Sequence, residues 1–204
     1  MAAMKREDWN RRYAEKEFVW SLEANRFLVE EAAALPPGRA LDLAAGEGRN
    51  ALWLAERGWH VRAVDFSEVA IGKAKALAAA RRLEGRAEFL VADLGDYEPE
   101  AGHFDLVMLF YLQVPRSDLL PILARAARAV APGGTFLLVG HDSANLTQGY
   151  GGPSSPAVLY TAEEIVAVLG EGFEIEKAAR VERPVETDAG VKVALDCLVR
   201  ARRP

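Results

Sequence analysis

The chain has 204 residues, half of them hydrophobic, enough to bury one core and better suited to a single domain over 1–204 than to two. A net charge of −5 withholds the basic footprint that binding a phosphate backbone needs, so nucleic acid is not an expected partner. The lone Cys197 cannot close an intrachain disulfide, and no apolar stretch approaches the roughly 20 residues of a membrane span, so a cytoplasmic location away from membranes is expected.

The chain starts "MAAMKREDWNRRYAEKEF", a charged run with no apolar signal-peptide core. Ser21 opens "SLEANRFLVEEAAALPPG", where Leu22, Phe27, Leu28 and Ala32 recur at helical spacing until Pro36-Pro37-Gly38 ends the run, so residues 1–38 read as an N-terminal helical segment. Short apolar runs then alternate with helical ones. "RALDLA" precedes a helix from about Arg49 to Arg57, "HVRAVD" precedes a helix opened by Ser67, and "AEFLVAD" leads into a polar loop. "FDLVMLFYL" suits the middle of a buried sheet. The helix after it is expected to start at Ser117, to turn Leu120, Leu123, Ala127 and Val130 inward, and to stop at Pro132-Gly133-Gly134 before "TFLLVG".

Strand–helix alternation of this kind predicts an α/β, doubly wound parallel sheet with helices on both faces. "SANLTQGYGGPSSP" is polar, rich in Gly, Ser and Pro, and long enough for a lid or substrate loop. Thr161 and Glu164 form a capping-box pattern for the next helix. Two alternating segments joined across Asp188-Ala189-Gly190 then read as an antiparallel hairpin, which brings the sheet to seven strands and leaves an exposed edge or the 21–35 helix as a surface for a homodimer.

The stretch "ALDLAAGEGRNALWLAERG" places Gly46-x-Gly48-x-x-Ala51 directly after the first strand. Glycines there let the backbone pass close beneath a ligand at a helix N-terminus, a design shared by nicotinamide, flavin and S-adenosylmethionine sites. Asp65 ends the second strand, where a carboxylate can accept two ribose hydroxyls or simply cap its own turn. Asp93 ends the third strand, where it can accept an exocyclic adenine amine with Leu94 against the ring. That second acid favours an adenosyl ligand without a second nucleotide. Asp42 lies inside the first strand, and a carboxylate there is costly unless a cation such as a methionine ammonium, or backbone donors of its turn, faces it.

"LDLAAGEGRNA", "VDFS", "VADL", "FDLVMLFYL" and "LARAARAVAPGGTFLLVG" resemble the successive motifs of class I S-adenosylmethionine-dependent methyltransferases over residues 40–140, and "GEGRNALWLAERGWHVRAVDFSEVAIGKA" is similar to the thiopurine and tellurite-resistance branch. The resemblance implies a Rossmann-like core over 39–204, with the 1–38 segment covering the S-adenosylmethionine site. It also implies that Gly46 and Gly48 contact the methionine part, Asp65 the ribose, Asp93 and Leu94 the adenine, and the backbone around Leu109 and Phe110 the ammonium. Trp20, Asp42, Asn50 and Phe66 join this cofactor set. So does Ala44, which stands where the family often has glycine. Relatives in the tellurite branch carry a His-Arg pair where this chain has Val185 and Glu186, a departure that weakens a chalcogen-oxyanion substrate.

The implied reaction is in-line methyl transfer from the sulfonium to a small-molecule acceptor, and neither a triad nor a metal is required. Three scattered histidines and one cysteine offer no metal-ligand spacing. Tyr13, Trp20, Phe110 and Tyr111 offer aromatic faces to a sulfonium, an attraction of roughly 0.5 to 2 kcal/mol. Tyr111 and Gln113 follow the fourth strand and His141 and Asp142 the fifth, at the carboxyl edge where ligands of open parallel sheets bind. His141 and Tyr111 are the catalytic candidates, His141 as general base because an imidazole ordinarily titrates near neutrality. His60 and His103 precede strands at the opposite edge, Arg183 reads either as an electrostatic partner for an anionic acceptor or, more often for a hairpin arginine, as a solvated residue, and Cys197 reads as a packing residue. Two rivals stand beside this reading: a nicotinamide oxidoreductase, for which the chain lacks a Tyr-x-x-x-Lys pair, and a non-catalytic S-adenosylmethionine-binding protein.

Overall fold

A computed structural model describes residues 4–204. Seven strands form one sheet in the order β3-β2-β1-β4-β5-β7-β6. β1 (Arg39–Leu43), β2 (His60–Asp65), β3 (Ala87–Val91), β4 (Phe104–Phe110) and β5 (Val130–His141) run parallel, while β6 (Glu174–Thr187) and β7 (Gly190–Arg202) form the antiparallel hairpin. The hairpin turns at 188–189 as expected, and it is β7 that inserts beside β5, leaving β6 at the edge.

Alternation along the strands divides the core into two layers. Ala40, Leu106 and Met108 face α2 (Arg26–Ala32), α3 (Arg49–Glu56) and α4 (Glu68–Ala80), which contribute Leu28, Leu52 and Ile71. Leu41, Val107 and Leu138 face α5 (Arg116–Ala129) and α7 (Ala162–Leu169), which contribute Leu123 and Ile165. The expected doubly wound sheet follows from this two-sided burial. Ser67 caps α4 through a bond from the Ala70 N–H, and the Thr161/Glu164 capping box on α7 is formed in both directions. Among the described residues no helix is long and apolar enough to cross a membrane.

Four local expectations need correction. The helix expected from Ser21 begins only at Arg26, because Asn25 caps it by accepting from the Phe27 N–H, and Leu22 is left exposed outside it. A further helix, α1 (Arg6–Ala14), precedes it; its sequence is too polar for apolar periodicity to reveal. In α5 the buried face is Leu119, Ile122, Leu123 and Ala126, whereas Leu120 is exposed, and the helix stops at Ala129 because Val130 is already extended and paired with Phe104. The 143–156 segment is not a lid. It carries the short α6 (Asn145–Gln148), and buried Asn145 holds it down, donating to the Gly151 carbonyl and accepting from the Leu195 N–H of β7.

Two glycines separate packing from propensity. Gly48 has φ +78°, and a Cβ there would lie 2.8 Å from the Phe89 ring and 2.9 Å from the Ala74 methyl. Gly48→Ala is therefore expected to cost about 2 to 4 kcal/mol. Gly72, inside α4 with nothing near its missing Cβ, is expected to gain about 0.5 to 1 kcal/mol as alanine. Denaturant unfolding of the two variants checks both signs.

Candidate active site

A cavity of about 800 Å³ opens at the carboxyl edge of the sheet, beside the ends of β1 and β4 where the strand order reverses. That is where open α/β sheets bind ligands, and sites for small molecules typically enclose roughly 300 to 1,000 Å³. The turn after β1 supplies Ala44, Gly46, Arg49 and Asn50; β2 and β3 supply Asp65, Phe66, Asp93 and Leu94; β4 and β5 supply Phe110, Tyr111 and His141. Ala44 (φ +62°) and Tyr111 (φ +56°) are two of the three non-glycine residues with left-handed backbone among the described residues. Each such conformation costs of order 1 to 2 kcal/mol, and both lie on the cavity wall. The bend at Ala44 is held by β2: the Ala45 N–H donates to the Val64 carbonyl and the Gly46 N–H to Asp65 Oδ2 at 2.8 Å.

Both readings of Asp65 have a counterpart in the structure. Its second oxygen, Oδ1, accepts from the Ser67 N–H at 2.9 Å, which is the capping geometry, yet the carboxylate also lines the cavity with lone pairs to spare. Burial raises its pKa, and the backbone donors of Ser67, Gly46 and Phe66 pull it back. Asp93 lines the same wall, pairing with Arg6 at 3.5 Å and accepting from the Gly95 N–H at 2.9 Å. Arg6 lies 5.9 Å from the Phe66 ring centroid, so α1 packs beside this end.

Three residues of the expected cofactor set do not reach the wall. The Leu109 side chain is buried in the layer under α5, because alternation along β4 turns Phe110 toward the cavity side instead, so any contact of Leu109 with a ligand is one of backbone, as the resemblance implies. Gly48 is packed behind the turn on Phe89 and Ala74. Asp42 is only 1% exposed and lies beneath the wall, where the nearby cation is the chain's own Arg49. Its Oδ2 has no hydrogen-bond partner among the described residues. Burial, then the charge of Asp65, push its pKa from 3.8 to about 8 against the opposing pull of Arg49 and the Ala51 N–H.

One side of the cavity is closed by the chain's own N-terminal segment, and the 143–156 loop has no part in that cover. Tyr13 and Trp20 line it, and Arg12 stacks over the rings of Trp9 and Trp20 at 5.2 and 5.1 Å. Buried Glu47 ties the segment down, accepting from the Val19 N–H at 3.0 Å and pairing with Lys73 at 3.1 Å, while Lys73 also donates to the Tyr13 and Lys16 carbonyls. Asn50 Oδ1 accepts from the Asn25 N–H at 2.9 Å. Sequence reasoning misses Glu47 and Lys73, since their partners are backbone groups remote in sequence.

Opposite lies a polar cluster that the sequence reveals only in part. Asp196 of β7 is fully buried. Its Oδ2 accepts from the Tyr111 hydroxyl at 2.7 Å and from Arg183 Nε at 2.6 Å, and its Oδ1 lies 3.3 Å from His141 Nδ1. Arg183 is thus an ion-paired wall residue, not a solvated one. Asp196 stands in "VALDCLVR", an apolar run, and the cost of burying a carboxylate in a strand, which marks Asp42, marks Asp196 equally. Gln113 lines the cavity. Asp142 does not, accepting instead from Arg180 and the Ala144 N–H. Cys197 is buried, and His60 and His103 stay at the amino edge.

Residues 40–134 match the model of a family described as a methyltransferase domain. Over 182 residues the chain is 33% identical to the 2-heptyl-1-hydroxyquinolin-4(1H)-one methyltransferase of Mycobacteroides abscessus, covering 81% of this chain and 79% of that protein. The chain belongs to the class I S-adenosylmethionine-dependent methyltransferases. Within that family it resembles, at 26% identity and a TM-score of 0.74, a structure described as "Conversion of a Disulfide Bond into a Thioacetal Group during Echinomycin Biosynthesis", with 97% and 92% of the two chains covered. TehB from Haemophilus influenzae shares the fold at 17% identity and a TM-score of 0.73, with 98% of this chain and 68% of that one covered. The chain spans only 32% and 46% of the length of two other curated relatives it matches, a ribosomal RNA small subunit methyltransferase C of Alcanivorax borkumensis and a demethylmenaquinone methyltransferase of Clavibacter sepedonicus. Membership in this family removes the nicotinamide reading of the glycine turn.

The raised pKa of Asp42 has a consequence in this methyltransferase. Between the ordinary carboxyl value of 3.8 and about 8, the native protein retains a proton that the unfolded chain has released, so this group lowers stability as pH rises through that window. Asp42→Asn is expected to gain stability relative to the parent chain from pH 5 to pH 8, and urea unfolding at the two pH values measures it. An equal difference at both would show that Asp42 is ionised throughout.

Proposed function

We propose that this chain transfers the methyl group of S-adenosylmethionine to a small-molecule acceptor by in-line displacement, with donor and acceptor side by side in the one cavity. The observation that carries the proposal is the presence of Asp65 and Asp93, the acidic ends of two neighbouring strands, on a single wall. Carboxylates at neighbouring strand ends suit ribose hydroxyls and an exocyclic amine, while a nucleotide 2′-phosphate would be repelled. The bend fits the same ligand, because a Cβ on Gly46 would lie 2.9 Å from the Tyr13 hydroxyl and close the gap beneath it.

When bound, S-adenosylmethionine supplies a methyl carbon already activated by its sulfonium. The chain's own tasks are then alignment and exclusion of water. Glu47, Lys73 and Asn50 hold the 13–25 segment across the opening, and Trp20, Tyr13, Phe110 and Tyr111 present faces suited to a cation. The acceptor takes the remaining space beside Tyr111, Gln113, His141 and Arg183. The quinolone named for the Mycobacteroides abscessus relative supports a flat aromatic acceptor of small size. The acidic net charge supports a small molecule over nucleic acid, and a lone cysteine, which can close no intrachain disulfide, suits a cytoplasmic setting.

Calorimetry with S-adenosylhomocysteine is expected to show saturable binding, weakened about 10- to 100-fold by Asp65→Ala, as the loss of charge-assisted hydrogen bonds implies. Incubation with S-adenosylmethionine and small hydroxyl compounds, thiols and amines, the quinolone among them, is expected to release S-adenosylhomocysteine with at least one class. Absence of binding, or identical affinity in Asp65→Ala, would overturn the donor assignment.

A further inference from the structure

The acceptor end of the cavity carries a second constellation, whose role rests on the methyltransferase function proposed for the cavity. His141 ends β5 and Asp196 lies on β7, and the antiparallel register pairs these two residues directly across the ladder. Arg183 of β6 joins them two positions beyond Val181, the cross-strand partner of Asp196. His141 Nδ1 and Asp196 Oδ1 are both buried, each lacks a hydrogen-bond partner among the described residues, and they face one another at 3.3 Å. Nε2 of the same ring makes no hydrogen bond among the described residues and is not among their buried, unpartnered atoms, on a side chain that lines the cavity. Two orphaned polar atoms that a small ring rotation would join mark a site completed only in the working complex.

We propose that His141 takes the proton of an acceptor hydroxyl, that Asp196 positions its ring, and that Arg183 holds the resulting oxyanion, so that the acceptor is a weakly acidic hydroxyl compound, a phenol or an N-hydroxy heteroaromatic. The neighbours exclude the other candidates for the base. The Tyr111 proton is committed to Asp196 Oδ2, and burial followed by the Asp196 charge pushes its pKa further up. Asp196 itself has no exposed surface; burial alone would raise its pKa, but His141, Arg183 and Tyr111 around it keep it low. Arg183 uses only Nε on Asp196, which leaves the rest of its guanidinium fork for an anionic oxygen.

The acceptor class is set by what such a pair can do. An aromatic amine attacks with its own lone pair and sheds its proton afterwards, and a carboxylate is ionised already, so neither draws on a base at neutral pH; an alkylammonium would be repelled by Arg183. A thiolate accepts hydrogen bonds weakly and makes little use of the guanidinium. In the proposed step the hydroxyl proton moves to His141 Nε2, giving an imidazolium that faces Asp196. The oxygen's electron pair forms the new oxygen–carbon bond as the donor's carbon–sulfur bond breaks with its pair on sulfur, and the proton then leaves His141 for water. General bases of this kind contribute roughly 10²- to 10⁴-fold.

The test uses 4-nitrophenol, whose absorbance reports its ionisation, on the full chain saturated with S-adenosylhomocysteine. Near neutral pH the phenolate-to-phenol ratio of the bound probe is expected to be about tenfold higher than that of the free one. His141→Gln is expected to bind it as the neutral phenol, and Asp196→Asn to lose most of the effect. In parallel, ¹⁵N-histidine NMR of the parent chain, with three histidines to assign, is expected to find His141 protonated on Nδ1 and not on Nε2. This second readout needs no variant and so survives if Asp196→Asn fails to fold. Saturable S-adenosylhomocysteine binding with a probe that stays neutral or unbound, or His141 protonated on Nε2, overturns this inference alone. Failure to bind S-adenosylhomocysteine overturns the donor reading and this inference with it.

Discussion

The bond from the Gly46 N–H to Asp65 Oδ2 is the contact on which the architecture of the site depends. A residue with a side chain, Ala44, takes left-handed backbone at the end of β1, a conformation that a free peptide would leave. It persists because the following N–H groups are pinned to β2, one to the Val64 carbonyl and one to the carboxylate. The same carboxylate fixes the start of α4 through Ser67. One side chain thus couples the bend of one strand to the helix after another, and the cavity opens in the angle between them.

Buried carboxylates around this point meet three different fates, and the differences follow from their partners. Glu47 is satisfied by backbone N–H groups and Lys73, so its desolvation is met locally and it holds the N-terminal segment in place. Asp196 is surrounded by Arg183, Tyr111 and His141, and charge-assisted bonds outweigh its burial. Asp42 has a helix N-terminus and a more distant arginine, too little to keep a carboxylate charged at low pH, so burial prevails. Three acids of similar burial therefore differ in what they do at neutral pH.

Strain and polarity concentrate at the same end of the molecule. Ala44 and Tyr111, both left-handed, flank the cavity across the switch point between β1 and β4, and Tyr111 reaches from there into the Asp196 cluster. Its conformation turns the ring out of the line of β4 and onto the wall beside His141, whose ring centroid lies 4.8 Å away. A straight continuation of the strand would have placed the side chain by alternation alone. The backbone kink is thus part of how the acceptor end acquires its shape.

Much of this was legible in the sequence. Strand–helix alternation, the caps at Ser67 and Thr161 and the turn at 188–189 depend on residues within a few positions of one another, and local chemistry is all that reading them requires. The acids at the ends of β2 and β3 were legible for the same reason, since parallel strands deliver their carboxyl ends to one edge whatever the details of packing. The direction of Leu109 and Leu120, the start of α2 and the role of 143–156 were not. Each depends on which neighbour a side chain or N–H finds, as when Asn25 meets Asn50 or Asn145 meets Leu195. The meeting of His141, Asp196 and Arg183 was decided last, by the register of an antiparallel ladder joining residues 55 positions apart. A shift of one residue there would send Asp196 to the opposite face, and no periodicity in the sequence specifies that choice.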